Sequence, residues 1–401
     1  MKGKRRYDLT YKFLRVTVPP YLSHKFNYEY DNINVEYSPY IVVSNHLTNW
    51  DPLFVGSSFK KSMYYVASDH ILRMGIISKI IKFLGNPIPR LKSMQETQTV
   101  IAIFKRLREK CNICLFVEGS TSFDGKTGEI QPSIGKLIKK AGAALVTYRL
   151  SGAYLSYPRW ARFVHKGKIY GKLVQIYSPD QLKEMSAEEI HAAIKNDLYV
   201  NAYEDQKENP VIYTGKQPAE YLETALYMCP RCRRFSTLKS NNDRLFCACG
   251  FHVRYNEYGY FEIPDSAEAP PFRTILEWSE WQRKEIETIA HAMKNMDSKV
   301  PIFSDSDQTV YQISRASHNI EVARGTLSFF NNRMSLIDEA GETMVFPLET
   351  ITEISCITMM TVIFSTREQK TYEIHSNHLR SALKFIEMFN AWQAEAAKNI
   401  F

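Results

Sequence analysis

Apolar runs rich in β-branched and aromatic residues recur along the N-terminal half of the chain. They lie at Tyr40 to Val43, Ser62 to Ala67, Cys111 to Val117 and Ala143 to Tyr148. Between them come segments of helical period, Ile71 to Leu84, Thr97 to Lys110 and Ser133 to Ala141. Short apolar strands that alternate with helices must be covered on both faces, so this order predicts an α/β layered domain. Ligands of such sheets sit beyond the carboxyl ends of the strands, where His46 and Glu118 fall. Residues 161–177 read as a hairpin extending the sheet. Ser186-Ala-Glu-Glu189 is a capping box opening a helix that buries Ile190, Ile194 and Leu198. The polar stretch Glu204 to Pro210 reads as a domain boundary.

The second half has a different grammar. Cys229-Pro-Arg-Cys232 and Cys247-Ala-Cys249-Gly250 are separated by fourteen residues, about one hairpin. Two close cysteine pairs on two turns can set four thiolates tetrahedrally around Zn²⁺, so a structural zinc ribbon is expected. Cys111 and Cys114 lie inside an apolar strand and read as core filling. Ile275 to Met296 is a helical connector whose Trp278, Trp281, Ile286 and Ile289 call for docking. Short alternating runs follow from Thr309 onward, broken at Asn331-Asn332 and Gly341, and then a helix from His378 to Ala396. A small antiparallel sheet closed by one C-terminal helix resembles the pleckstrin-homology and GRAM-like architecture. The expected division is an α/β domain at 1–210, the ribbon at 220–262, the connector at 263–300 and the β-rich domain at 301–401.

Charge and hydropathy bound the partners. The net charge is +8 over 401 residues, which favours anionic partners such as phosphate-bearing substrates or a membrane surface. No run of about 18 uncharged apolar residues occurs, so a spanning helix is not expected. Residues 1–39 are basic and aromatic without a signal-peptide pattern, which predicts a cytosolic lead-in helix packed on the first strand or lying on anionic lipid.

The chemistry concentrates where the strands end. In Asn45-His46-Leu-Thr-Asn-Trp-Asp51 a histidine leaves the sheet with a carboxylate five residues on. Such an Asp can accept one ring N–H, fix the tautomer and leave the other nitrogen as a general base. Gly85-Asn-Pro-Ile-Pro-Arg90 presents one guanidinium after a Gly/Pro turn, and Phe116-Val-Glu118-Gly119-Ser120 closes the strand from Cys111. The structural alternatives are a capping histidine, a surface Arg and a loop-capping Glu.

These three blocks, in this order and at these separations, resemble those of the glycerolipid acyltransferases, of which bacterial 1-acylglycerol-3-phosphate acyltransferase is the type. The resemblance covers residues 35–180. It implies a layered αβα acyltransferase domain and transfer of a fatty acyl group from acyl-CoA or acyl carrier protein to a hydroxyl of a lysophospholipid. His46 and Asp51 would be catalytic, and Asn45, Arg90, Glu118, Gly119 and Ser120 would bind substrate, with no cofactor for catalysis. Two positions depart from the family pattern. Thr121 stands where an Arg is usual, and Val146-Thr-Tyr148 replaces a proline-centred block, so Lys126, Lys136 or Arg149 would have to supply the missing cation. The implied protein is peripheral at the inner face of the cell membrane, on an anionic surface. The competing reading is a nucleic-acid or protein-binding adaptor built on the ribbon and its basic residues, with an inert α/β domain. Nucleic acid is disfavoured because no aromatic platform accompanies those cations.

Overall fold

The computed structural model describes residues 2–68, 75–85, 87–90, 96–264, 269–313 and 319–398. The chain forms two compact units, one of Met1–Arg159 with Phe163–Lys216, the other of Trp160–Arg162 with Gln217–Phe401.

The first unit is a mixed α/β layer structure. Its strands are β1 (Tyr28–Tyr30), β2 (Tyr40–Ser44), β3 (Met63–Ser68), β4 (Ile88–Arg90), β5 (Asn112–Phe116), β6 (Ala144–Ser151) and β7 (Ile169–Tyr177). They form one sheet in the order β1-β7-β6-β2-β5-β3-β4. Strands β6, β2, β5, β3 and β4 run parallel, while β7 returns antiparallel to β6. Every residue of β2 is buried, the signature of a strand covered on both faces. Alternation sends Ile41, Val43, Ile113, Leu115 and Leu145 to one face. There they join a core with Ile103 and Leu107 of α4 (Glu96–Arg108), Ile138 of α5 (Ser133–Ala141) and Ile190 and Ile194 of α8 (Ala187–Leu198). Tyr40 and Tyr148, on the opposite face, meet Phe59, which ends α2 (Asp51–Ser58).

The remaining helices of this unit are α1 (Lys2–Phe26), α3 (Gly75–Gly85), α6 (Ala153–Ser156), α7 (Pro179–Glu184) and α9 (Ala202–Glu208). Helix α1 is fastened by buried tyrosines, Tyr7 donating to the Met63 carbonyl and Tyr11 to that of Gly56 at 2.9 Å. The helix expected from Ile71 is seen from Gly75, and residues 71–74 of that expectation lie outside the described ones.

Two expectations are corrected. Residues 161–177 do not fold on themselves, because the amides of His165 and Lys166 donate to Ser156 and Thr214 instead. The hairpin is made by β7 with β6. The polar stretch from Glu204 is helical through Glu208, since Asn201 caps α9 by accepting from the Tyr203 amide at 3.1 Å.

The second unit is β-rich. Strands β8 (Leu238–Asn241), β9 (Arg244–Cys247), β10 (His252–Tyr255) and β11 (Phe261–Glu262) form a small sheet. Helix α10 (Ile275–Ala292) follows, with Trp278 buried against Phe251 and Phe261. Strands β12 (Phe303–Ile313), β13 (Ile320–Phe329), β14 (Arg333–Asp338), β15 (Thr343–Pro347), β16 (Ile351–Thr358), β17 (Thr361–Thr366) and β18 (Thr371–Ser376) build an antiparallel sheet in the order β15-β14-β13-β12-β18-β17-β16. Helix α11 (Leu383–Lys398) packs on it through Phe385, which meets Phe303 and Phe329. It starts later than expected: the Ala382 amide donates to the Met359 carbonyl, and the Ser376 hydroxyl to that of His378. Sealed beneath it, Lys384 of α11 reaches Asp305 of β12 and the Ser236 hydroxyl, each at 2.5 Å.

Candidate active site

The site is built where β2 and β5 end side by side, with Ser44 paired to Phe116. Parallel neighbours deliver His46 and Glu118 to the same edge of the sheet. His46 Nδ1 lies 2.8 Å from Asp51 Oδ2, with the histidine side chain 19% exposed and Asp51 fully buried. An ionised carboxylate only accepts, so Nδ1 carries the proton and Nε2 is left with its lone pair.

Asp51 opens α2, and the chain before it wraps the carboxylate in donors. The Leu47 and Thr48 amides donate to Oδ2 at 2.6 and 3.0 Å, and the Thr48 hydroxyl to Oδ1 at 2.8 Å. Thr48 Oγ1 in turn accepts from the Trp50 amide at 3.0 Å. These donors supply the hydrogen bonds that a buried carboxylate requires. Thr48 was not singled out from the sequence, yet Thr-x-x-Asp at a helix start is a legible capping signal. The amides of Leu47, Thr48 and Trp50 are thus already taken up by acceptors within this turn and are not aimed at a developing oxyanion.

The turn after β5 locks onto this segment. Glu118 Oε1 accepts from the His46 amide at 2.7 Å, and Oε2 from the Gly128 amide at 2.6 Å. The Ser122 amide donates to the His46 carbonyl at 2.8 Å. Burial pushes the Glu118 carboxyl up to about 7, against the downward pull of those two N–H donors. Phe116 lays its ring on the His46 imidazole, with centroids 4.4 Å apart and planes 22° from parallel. That contact holds the ring's tilt, and no spacing in the chain points to it.

Arg90, at the end of β4, reaches the same turn. A Cβ on Gly119 would lie 3.1 Å from Arg90 Nη1, and Gly119 has φ +72°. Glycine is required there both for the backbone and for the approach of the guanidinium. Ser120 is exposed, and its hydroxyl accepts from Arg159 Nη1 at 2.8 Å.

Asn45 has another role than the one expected of it. It is fully buried, donating to the Leu150 carbonyl at 2.9 Å and accepting from the Leu150 amide at 2.8 Å. It splices the ends of β2 and β6 and faces no open space. Of the cations proposed to offset Thr121, Lys126 lies nearest in the chain, its carbonyl accepting from the Ser122 hydroxyl at 2.7 Å, while the other two are engaged elsewhere. Lys136 is exposed on α5, and Arg149 donates to the Tyr199 carbonyl. The cation found at Thr121 is Arg159, whose Nη1 also donates to the Thr121 carbonyl at 3.3 Å. No motif spacing points to it, because it arrives from a turn after α6.

Residues 25–151 match the acyltransferase family model. This stretch holds His46, Asp51, Arg90 and Glu118. The chain is 24% identical over 151 residues to the chloroplastic 1-acyl-sn-glycerol-3-phosphate acyltransferase LPAT1 of Arabidopsis thaliana, covering 37% of this chain and 42% of that one. It thus spans less than half the length of that relative. Among solved structures it is similar to the 1-acyl-sn-glycerophosphate acyltransferase PlsC from Thermotoga maritima, with TM-score 0.41 and 17% identity over 47% of this chain and 76% of that one. A C-terminal domain of an unknown Leishmania infantum protein aligns with TM-score 0.18 and 12% identity over 23% of this chain and 84% of that one.

The second unit holds a separate cluster. The sulfurs of Cys229, Cys232, Cys247 and Cys249 all lie within 4.8 Å of one another. Cys229 and Cys249 sulfurs are 3.7 Å apart and those of Cys232 and Cys247 3.8 Å, far from a disulfide bond. The chain turns tightly at both pairs, with φ +56° at Arg233 and +87° at Gly250.

Proposed function

We propose that the first unit moves a fatty acyl group from a thioester, acyl-CoA or acyl carrier protein, to a hydroxyl of a lysophospholipid such as 1-acylglycerol 3-phosphate. The observation that carries this reading is a histidine whose Nδ1 is tied to a buried, fully bonded carboxylate, on the same sheet edge as an arginine-lined turn. His46 Nε2 takes the acceptor's hydroxyl proton as that oxygen bonds to the thioester carbonyl carbon. The tetrahedral intermediate collapses, the C–S bond breaks and the imidazolium returns its proton to the departing thiolate. No covalent enzyme intermediate is needed when two substrates are held in reach of one base. Glu118 acts by fixing the His46 backbone and the loop at Gly128. Arg90, beside Gly119, suits the acceptor's phosphate.

The test is incubation of purified protein with acyl-CoA or acyl carrier protein and a panel of lysophospholipids, alongside His46→Ala. Acylation of an acceptor by wild type and its loss in the variant are expected. Wild type that acylates none of the panel with either donor refutes the reading.

We infer that this chemistry takes place peripherally on an anionic membrane, at the inner face of the cell membrane. Support comes from α1, where Leu9, Phe13 and Val16 form an exposed stripe at helical spacing flanked by Arg5, Arg6 and Lys12. No helix among the described residues is long and apolar enough to cross a membrane. We also infer a structural zinc at the four cysteines. Four thiolates at Zn–S ~2.3 Å have tetrahedral edges of about 3.8 Å, which fits the two sulfur separations given above. Zinc would clamp the two turns and take no part in acyl transfer. About one equivalent of bound zinc, lost in Cys247→Ser with unfolding of this sheet, is the expected outcome.

A further inference from the structure

We propose that a cleft in the second unit, between the Cys229–Cys232 turn, α10 and the lead-in to β12, binds a long-chain fatty acid. The proposal does not depend on the acyl-transfer reading, because none of the lining residues belongs to the first unit. The cleft holds about 670 Å³, within the range of small-molecule sites. Its apolar walls are Phe235, Ile289, Met296, Val300, Ile302 and Phe303, and Arg233, Arg234 and Asp297 line the same space. An apolar trough with a few charged groups in its lining suits an amphiphile, its chain along the walls and its head at a guanidinium.

The walls are fixed by bonds within the unit. On one side the cysteine turn presents both arginines. The Arg233 amide donates to the Cys229 carbonyl at 2.9 Å, and the Arg234 carbonyl accepts from the Cys229 amide at 3.2 Å. On the other side, Asn331 Nδ2 donates to the Met296 carbonyl at 2.9 Å and Arg333 Nη1 to that of Ser298 at 3.0 Å. The Ile302 amide donates to the Phe329 carbonyl at 2.8 Å. Phe235 and Phe303, with ring centroids 4.9 Å apart, join the two sides. Within this scaffold Val300 and Met296 are nonetheless 60% and 38% exposed. Apolar side chains held in water beside an apolar cleft gain by being covered with a ligand's chain.

Charge selects the head group. Two guanidiniums stand against one carboxylate in the lining, a balance of one positive charge. Arg233 Nη1 already reaches Glu285 Oε2 at 3.4 Å. The exposed Arg234 guanidinium has no partner among the described residues. One available fork matches the two oxygens of a carboxylate monoanion. A phosphate monoester dianion would bring a second negative charge towards Asp297 with no cation left to offset it.

The experiment titrates the full chain by calorimetry at pH 8 with dodecanoate below its micellar concentration, with decanoate, and with dodecyl phosphate, which is a dianion there. Dodecanoate should bind saturably, and decanoate about 10- to 20-fold more weakly for its two missing methylenes. Arg234→Ala should raise the dodecanoate Kd about tenfold or more, and Arg234→Lys should recover part of that loss. Val300→Asp should weaken binding on a similar scale, and because both positions are exposed the melting temperature should not change. Dodecanoate that does not bind, or that binds without responding to either variant, overturns the proposal. Dodecyl phosphate bound more tightly than dodecanoate overturns the choice of a carboxylate. Co-sedimentation with vesicles of phosphatidylglycerol in phosphatidylcholine gives the remaining arm. Vesicle binding that Arg234→Ala abolishes, in a protein that does not take up dodecanoate, assigns the cleft to a membrane surface and overturns the proposal. Turnover is not read, so an inactive first unit would fall on the acyl-transfer reading alone.

Discussion

Each unit buries an aspartate against a nitrogen base, and the two pairs are solved in opposite ways. In the first unit Asp51 is fully buried while its partner His46 keeps 19% of its side chain exposed. In the second, Lys384 and Asp305 are 0% and 1% exposed, joined at 2.5 Å. Asp51 is satisfied mostly by backbone and hydroxyl donors. Asp305 takes Lys384 as its closest cation, with Arg380 at 3.7 Å. Burial pushes the Lys384 amine down to about 8 despite that attraction. The contrast teaches that an isolated buried carboxylate is not the mark of a site. What marks one is a carboxylate that needs no counter-charge, next to a base with one face open.

Replacing the bases should separate the two pairs most sharply. His46→Ala removes the proton acceptor, and kcat/KM should fall by about 10³-fold or more, or about 4 kcal/mol in barrier, with a melting temperature close to wild type. Asp51→Asn should cost activity on a similar scale and also stability, because an amide cannot accept from every donor now aimed at the carboxylate. Steady-state kinetics paired with thermal melts check both. If His46→Ala melts far below wild type at undiminished kcat/KM, the comparison is broken at its first term.

Lys384→Met should do the reverse. It strands Asp305 in the core and should destabilise the second unit by about 3–5 kcal/mol, with kcat/KM below the transition within about twofold of wild type. Adding Asp305→Leu should return most of that stability, since an apolar pair of similar size avoids the desolvation cost. Denaturant melts of the single and double variants measure the coupling. A double variant as unstable as the single would mean that packing, rather than charge, dominates at this place.

Much of this was legible in the sequence wherever one short stretch holds both the element and its reason. Tyr40 to Val43 reads as a doubly covered strand because every side chain is apolar. His46 and Asp51 are readable together because five residues suffice to return the chain from strand exit to helix start. The paired cysteines announce two tight turns in the same way. What was hidden depends on residues brought together from far apart. Asn45 reads as a polar group at a strand end, and only the presence of Leu150 on the neighbouring strand turns it into a splice. Arg159 sits in a segment without periodicity, and Ser120 and the Phe123 ring under its guanidinium hold it at this turn. The stretch at 161–168 leads into the apolar strand β7 and so reads as one arm of a hairpin, but the Ser156 and Thr214 carbonyls take its amides first. Lys384 looks like a solvated helix residue until Asp305 and Ser236 close over it.

Glu118 gives the subtlest test, because its environment lies between those of the two aspartates. Asp51 is ringed by donors and Asp305 faces a cation, whereas Glu118 has two amide donors that do not fully offset its burial. Its folded value of about 7 lies above the unfolded 4.5. The protonated form is thus favoured by folding, and this contribution is complete below about 4.5 and lost as pH rises through 7. Relative to wild type, Glu118→Gln should therefore gain stability across that window, by on the order of 2–3 kcal/mol between pH 4.5 and 8. The gain is read as the change in stability difference with pH, so any fixed cost of placing an amide against the His46 and Gly128 donors cancels. Urea melts of both proteins at several pH values measure it. A difference that stays flat would place Glu118 with Asp51, fully compensated by its donors. One that falls with pH would mean the carboxylate is the form the fold prefers, and that the His46 backbone is held by charge throughout.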